Sequence, residues 1–179
     1  MLVFLVAVLE IVVIFARKNL DTMSIRRAAS RDIPRIHYLL TQVNNVHAEG
    51  RPDLFKKGNR KYTDEQLESI IADTENSPIF VLTDDSDMVL GYCFCQVELF
   101  TGDNNRTDIK TLYIDDLCVD EAHRRQHIAQ RLYDHVIDFA RCNGFYNVTL
   151  NVWQCNPGAR AFYDQCGMKP LKTYLETIL

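Results

Sequence analysis

One segment narrows the possible folds of this chain more than any other. Between residues 109 and 153 it reads IKTLYIDDLCV, then a charged turn, then a long amphipathic stretch, then FYNVTLNVW. In the middle part Ile128, Leu132, Val136, Phe139 and Ala140 recur at helical spacing on one face, and Asn143-Gly144 supplies the left-handed stop that ends a helix. The flanking runs are rich in β-branched and aromatic residues, as strands are. A strand that passes through one helix and returns to the same sheet pairs parallel or nearly so, by a right-handed crossover.

The other elements fall in order around this unit. SIRRA at 24–28 is a short alternating strand, and SRDIPRIHYLLTQVNNV is a helix with Ser30 as its cap, Pro34 in its first turns and Ile33, Ile36, Leu39, Leu40 and Val43 on one face. HAEGRPDLFKKGNRKY reads as a loop, and TDEQLESIIADTE as a second helix capped by Thr63 or Asp64. IFVLT and VLGYCFCQVELF form a hairpin through the polar turn Asp84–Asp87, and the second run is apolar on both faces apart from Gln96 and Glu98, which places it centrally in its sheet. TGDNNRTD is a polar loop. NPGARAFYDQC is a helix with Asn156 as cap, Pro157 at its first position and Gly167 after its end, and MKPLKTYLETIL closes the chain as a strand or pair of strands. The fold class is therefore α+β, with a mixed, mostly antiparallel central sheet flanked by helices.

Composition bounds the partners. With 179 residues, 47% of them hydrophobic and 25% charged, the chain suits one domain with a real core, here residues 23–179. A net charge of -4 excludes nucleic acid as the main partner, since neutralising phosphates needs a broad basic face; the one basic cluster, FKKGNRKY, reads as a solvated loop. Cysteines stand at 93, 95, 118, 142, 155 and 166 without a C-x-x-C pair or ligand-like spacing. They read as reduced core thiols of a cytoplasmic protein, with no metal site.

Residues 1–22 are an apolar extension. MLVFLVAVLEIVVIFA lacks a basic start and a small-residue cleavage site, and falls short of the roughly 20 residues of a membrane span. Three readings stay open: an upstream extension ahead of a second start at Met23, a membrane tether formed by residues 1–16, and an extra packed helix or strand.

The charged turn carries the chemistry. A strand ending in DDLCV that turns through Arg124 and Arg125 into a helix presents outward amides, the positive end of a helix dipole and two cations, the requirements of a pyrophosphate site. Taken alone, the same stretch reads more readily as a charged turn before a core helix, since many surface helices start with arginines.

Further residues resolve that choice by resemblance. The turn is similar to the Q/R-x-x-G-x-G/A signature of the GNAT N-acetyltransferase superfamily at Arg124, His127 and Ala129, and NPGARAFYDQCGMKPL resembles its N-x-x-A-x-x-F-Y-x-x-x-G-F segment at Asn156, Ala159, Phe162, Tyr163 and Gly167. YIDDLCV looks most like the version found in polyamine-type members. The resemblance implies the GNAT acyltransferase fold and acetyl-CoA as cosubstrate, bound by Leu117, Cys118 and Val119 along the strand, by Arg124, Arg125, Gln126, His127, Ile128, Ala129 and Gln130 at the turn, and by Asn156. It implies Tyr163 as general acid and Asp115 as base, with Asp116 the next candidate. Strict alternation would aim the two carboxylates at opposite faces of the strand.

The acceptor is a small-molecule or peptide amine, and a homodimer is consistent with similar proteins. Cys118 and Cys155 have no histidine at a spacing that predicts a Cys–His pair, so direct transfer is favoured over an acyl-cysteine route. His47 and Glu49 fall where this fold commonly places its acceptor. The departure is His127, where the family has glycine: a side chain crowds a pyrophosphate, although a residue already in helical geometry would still present its N–H. It leaves a second reading open, a catalytically silent GNAT-fold module that binds CoA or a partner for regulation.

Overall fold

In chain order, the computed structural model describes residues 23–179 as β1 (Ser24–Arg27), α1 (Ile33–Gly50), α2 (Asp64–Ala72), β2 (Ile79–Thr83), β3 (Val89–Phe100), β4 (Ile109–Val119), α3 (Ile128–Cys142), β5 (Asn147–Leu150) and α4 (Pro157–Gln165). The readings of residues 1–22 lie outside the described residues. The strands form one sheet in the order β1-β2-β3-β4-β5, with the first three pairings antiparallel and the β4–β5 pairing parallel. This is the mixed, mostly antiparallel sheet that the sequence predicts, and β3 lies at its centre because its first seven residues are buried on both faces.

A hydrophobic layer covers each face of the sheet. On one side Leu132, Val136 and Ala140 of α3 and Tyr163 of α4 pack on Leu82, Leu90, Cys93, Leu112 and Ile114. On the other, Ile36, Leu39 and Leu40 of α1 and Leu67 of α2 pack on Val81, Val89, Tyr92 and Phe94. Alternation along the strands sends successive residues to the two layers.

Several boundaries differ from the sequence reading, each for a local reason. Ser30 does not cap α1: residues Ser30–Asp32 form a 3-10 turn, the Asp32 carboxylate accepts the Ala29 N–H at 2.8 Å and two Arg26 hydrogen bonds at 2.7 and 2.9 Å, and the Ser30 hydroxyl donates to Glu68 at 2.5 Å. α1 continues to Gly50, so His47 and Glu49 are helical. Thr63, not Asp64, caps α2 through a reciprocal box, its hydroxyl accepting the Gln66 N–H at 3.2 Å while the Gln66 carbonyl accepts the Thr63 N–H at 2.8 Å. α3 starts at Ile128, two residues beyond Gln126.

The closing strand is absent: residues 168–179 have no regular secondary structure. Pro170 removes a ladder donor at the head of this stretch, and Leu171, Tyr174, Leu175 and Ile178 stay exposed with no apolar face to bury them. Arg51 holds the tail by ion-pairing Glu176 at 2.8 Å.

Gly91 on β3 lies where three elements meet. A Cβ there would stand 2.9 Å from the Cys118 carbonyl oxygen, 3.1 Å from Ile128 Cγ2 and 3.3 Å from Leu132 Cδ1. The first of these is backbone and cannot rotate away, so Gly91→Ala must part β3 from β4 or lift the head of α3. Overpacking of this kind costs about 1–3 kcal/mol. A urea denaturation curve with a lower midpoint and an unchanged slope is the expected result.

Candidate active site

The site forms around an irregularity in β4. Phe94 pairs with Asp116 but Cys95 pairs with Ile114, so Asp115 is an extra residue, a β-bulge. The bulge overturns the expectation that Asp115 and Asp116 face opposite sides. Both carboxylates converge on one cation: the Lys61 ammonium lies 2.8 Å from Asp115 Oδ2 and 3.9 Å from Asp116 Oδ2. The Tyr92 hydroxyl donates to Asp116 at 3.2 Å, and the Tyr62 hydroxyl donates to Asp115 at 3.4 Å. Tyr62 is fixed by stacking on Phe94, with ring centroids 6.1 Å apart and planes 9° from parallel.

Burial differentiates the two acids. The Asp116 side chain is 11% exposed and that of Asp115 is 21% exposed. Burial pushes the Asp116 carboxyl up to about 6, against the opposing pull of the Lys61 charge. A carboxylate that titrates close to neutrality is suited to accepting a proton. Burial alone would lower the Lys61 ammonium, but Asp116 and Asp115 outweigh it and hold the ammonium above the usual lysine range.

Beyond the bulge β4 loses its second neighbour. β5 pairs only with Thr111–Ile114, so, among the described residues, positions 115–119 of β4 have β3 on one edge and no strand on the other. Main-chain donors and acceptors along that open edge are available to an extended ligand. Leu117 and Val119 pack into the α3 layer, while Cys118 packs toward α1 and donates its thiol to the Leu39 carbonyl at 3.4 Å. Burial pushes the Cys118 thiol up to about 12, which makes it a poor nucleophile.

At the end of β4 the chain turns around Asp120. This buried carboxylate accepts from Arg35, from Gln42 at 3.1 Å and from the Ala122 N–H at 3.3 Å, and it pairs with His123 at 3.1 Å. Burial raises its pKa, but the hydrogen bonds, Gln42 and Arg35 foremost, outweigh that and bring it to about 2. So anchored, the turn adopts an unusual backbone: Arg125 has φ 62°, and His127 has φ 59° and ψ 14° as N-cap of α3. Left-handed residues beside right-handed ones turn successive N–H groups into a concavity suited to anions, and the first-turn amides of Ile128, Ala129 and Gln130 have no intrahelical acceptor. Arg124 and Arg125 are exposed beside it. The Gln130 side chain is engaged by Asp134 at 2.8 Å and Cys166 at 3.5 Å, which leaves its amide as its contribution to the turn. His127 is thus not in the helical geometry that would make a side chain harmless there.

α4 closes the site from the other layer. Asn156 caps it, its side-chain carbonyl accepting the Ala159 N–H at 3.1 Å, which leaves the side-chain amide donors for a ligand. Tyr163 is buried between Phe162, 5.0 Å away, and Tyr133, 6.3 Å away. Burial, with the charges of Cys93 and Asp116 adding to it, holds its phenol protonated well above the usual range.

Comparison with known proteins follows this geometry. The model of the Acetyltransferase (GNAT) family matches residues 43–168, the span from late α1 to the end of α4. The chain belongs to the GNAT acetyltransferase family. Among solved structures it is similar to a mutant form of the BH1408 protein from Bacillus halodurans, at 27% identity and a TM-score of 0.83, covering 87% of this chain and 99% of that one. An acetyltransferase from Trypanosoma brucei shares the fold at 15% identity and a TM-score of 0.64, covering 88% of this chain and 99% of that one. So does an aminoglycoside acetyltransferase from an uncultured soil metagenomic sample, in complex with sisomicin, at 19% identity and a TM-score of 0.63, covering 89% and 97%. No curated protein matches the chain significantly.

Four residues of this GNAT domain escaped the sequence reading. Lys61 belongs to the stretch that the sequence presents as a solvated loop, and the sequence reading assigns no role to Tyr62, Tyr92 or Asp120. Tyr92 and Asp120 had a usable signal, since a tyrosine in an apolar central strand and an aspartate directly after a strand each need a buried partner. Lys61 had none: nothing local distinguishes it from Lys56 or Lys57. His47 meets Phe55 and Trp153 in an aromatic cluster, with centroids 5.1 and 6.1 Å from its own ring, and Glu49 instead pairs with Lys57 at 3.3 Å.

Proposed function

We propose that the chain is an acetyl-CoA-dependent N-acetyltransferase that passes the acetyl group directly to an amine, whether a small primary amine, a polyamine-like molecule or a peptide amine. The observation that carries this reading is that one strand, β4, bears all three needs in order: an acid pair at its bulge, an open edge beyond it, and the doubly left-handed turn at its end.

The residues present fit acetyl-CoA. The amides of residues 126–130, with Arg124 and Arg125, would hold the pyrophosphate; the open edge at Leu117, Cys118 and Val119 and the amide of Asn156 would hold the extended arm. When bound, acetyl-CoA supplies an activated thioester. Asp116, with Asp115 beside it, takes the proton that an alkyl ammonium must lose before it can attack, directly or through water. Main-chain N–H groups of the open edge stabilise the charge that develops on the carbonyl oxygen. Tyr163, a phenol protonated at neutral pH, donates the proton that the leaving thiolate requires. Free thiols in the core favour a reducing, cytoplasmic setting; among the described residues no helix is long and apolar enough to cross a membrane.

Release of CoA thiol from acetyl-CoA in the presence of polyamines, amino acids, aminoglycosides and peptides tests the reading. Release with none of them, together with tight acetyl-CoA binding, would make the chain a silent binding module instead. His127 offers a second check. A left-handed backbone costs a non-glycine residue about 1–2 kcal/mol, less for histidine than for most, and glycine would remove that cost together with the side chain beside the concavity. His127→Gly is expected to tighten acetyl-CoA binding measured by calorimetry; equal or weaker affinity would move the pyrophosphate away from this turn.

A further inference from the structure

The acid pair already has an occupant. Lys61 reaches it from the loop just ahead of α2, and its ammonium meets three recognition elements at once: Asp115 at 2.8 Å, Asp116 at 3.9 Å and the Tyr62 ring with its centroid 5.1 Å away. Two carboxylates and an aromatic face are what a primary alkylammonium needs for recognition. The Lys61 side chain is itself 39% exposed, so it can leave by rotating about its own bonds while the loop stays in place.

We infer that Lys61 is a tethered stand-in for the acceptor, filling the ammonium subsite of the site described above, and that the acceptor is a cationic primary amine which must displace it. This rests on the proposed function, in which Asp116, with Asp115 beside it, meets the acceptor's ammonium and takes its proton. Three observations favour a competitor over a structural ion pair. The described polar contacts of the lysine side chain all fall on its terminal ammonium. Its neighbour Tyr62 is independently fixed on Phe94, so the loop does not depend on the pair for its position. The pair joins residues 54 apart in sequence at the bulge, the one irregular point of β4, rather than along a regular ladder.

The consequence is a specificity device. A site filled by its own lysine about nine-tenths of the time binds an external amine about tenfold more weakly, since apparent affinity scales with the competent fraction. Monocations of modest affinity are then excluded, and amines that gain contacts elsewhere, through a second charge or a longer body, are admitted.

Titration of the full chain with 1,4-diaminobutane by calorimetry tests this, with 1,4-butanediol as the uncharged control. Lys61→Met should bind the diamine about tenfold more tightly, Lys61→Arg should stay near the parent, and the acetyl-CoA affinity of all three should coincide. In turnover the gain should appear as a lower KM for amine with little change in kcat. Equal or weaker diamine binding by Lys61→Met, with its circular dichroism spectrum unchanged, would overturn the inference. So would tighter binding that survives the further changes Asp115→Asn and Asp116→Asn. Tighter diamine binding without any CoA release would uphold the subsite and remove the acetyl-transfer reading; CoA release with an unmoved KM would do the reverse.

Discussion

Asp116→Asn is expected to lower kcat/KM for acetyl transfer by about 10²–10⁴-fold, the usual contribution of a positioned general base. The pH profile supplies a signature that mere disruption would not. Because burial pushes the Asp116 carboxyl up to about 6, log(kcat/KM) of the parent should rise with pH and level off above that value. Asparagine should erase this limb, whereas Asp115→Asn should lower the rate and keep it. A limb near 6 that persists in Asp116→Asn would transfer the base role elsewhere.

The same substitution should stabilise the protein. A carboxyl whose folded value, about 6, stands above its unfolded value of about 3.9 favours the folded state fully below the unfolded value, and that contribution is lost as pH rises through 6. At pH 7.5 the parent therefore carries an ionised, buried Asp116 only partly offset by Lys61, while asparagine can still accept the Tyr92 hydroxyl. A gain of about 1–2 kcal/mol is expected, read as a higher Tm at pH 7.5 that vanishes near pH 4. Loss of rate together with gain of stability is the pattern of a residue kept for function.

Tyr163→Phe is the second large effect. Phenylalanine fills the same space between Phe162 and Tyr133, so the fold and the acetyl-CoA affinity should be preserved. Turnover should fall by about 10²-fold, the lower range for a lost general acid. Transfer of acetyl from a thioester whose leaving thiol is already acidic should be less affected, because such a thiolate departs without a proton. An unchanged rate would reduce Tyr163 to a core aromatic.

Much of this was legible in the sequence because periodicity reports burial. The helical face from Ile128 to Ala140, the two-sided apolar run of β3 and the parallel return through β5 follow from which residues must leave water. The cap at Asn156 was legible, and that of α2 as far as Thr63 or Asp64, because their chemistry is local. What was lost depends on distance or phase. No residue marks Asp115 as the one without a partner across β3, so alternation was carried through a place where it fails. Lys61 finds its acids only through a contact 54 residues long. A glycine at 127 would have signalled the left-handed turn, but a histidine conceals it. The tail from 168 to 179 has strand-like composition and no strand beside it, and composition alone cannot supply the neighbour.

The bulge at Asp115 also separates two questions that usually travel together. Before it, the even-numbered Leu112 and Ile114 enter the α3 layer; after it, the odd-numbered Leu117 and Val119 do, with Cys118 on the opposite side. The strand changes parity at this one residue. Excising Asp115 would therefore return β4 to an unbroken alternation with every packing residue still on its own face. The hydrophobic layers would close as well without it, so the residue is surplus to the architecture. Under the proposed function, its presence serves the chemistry at the surface of the sheet rather than the sheet itself.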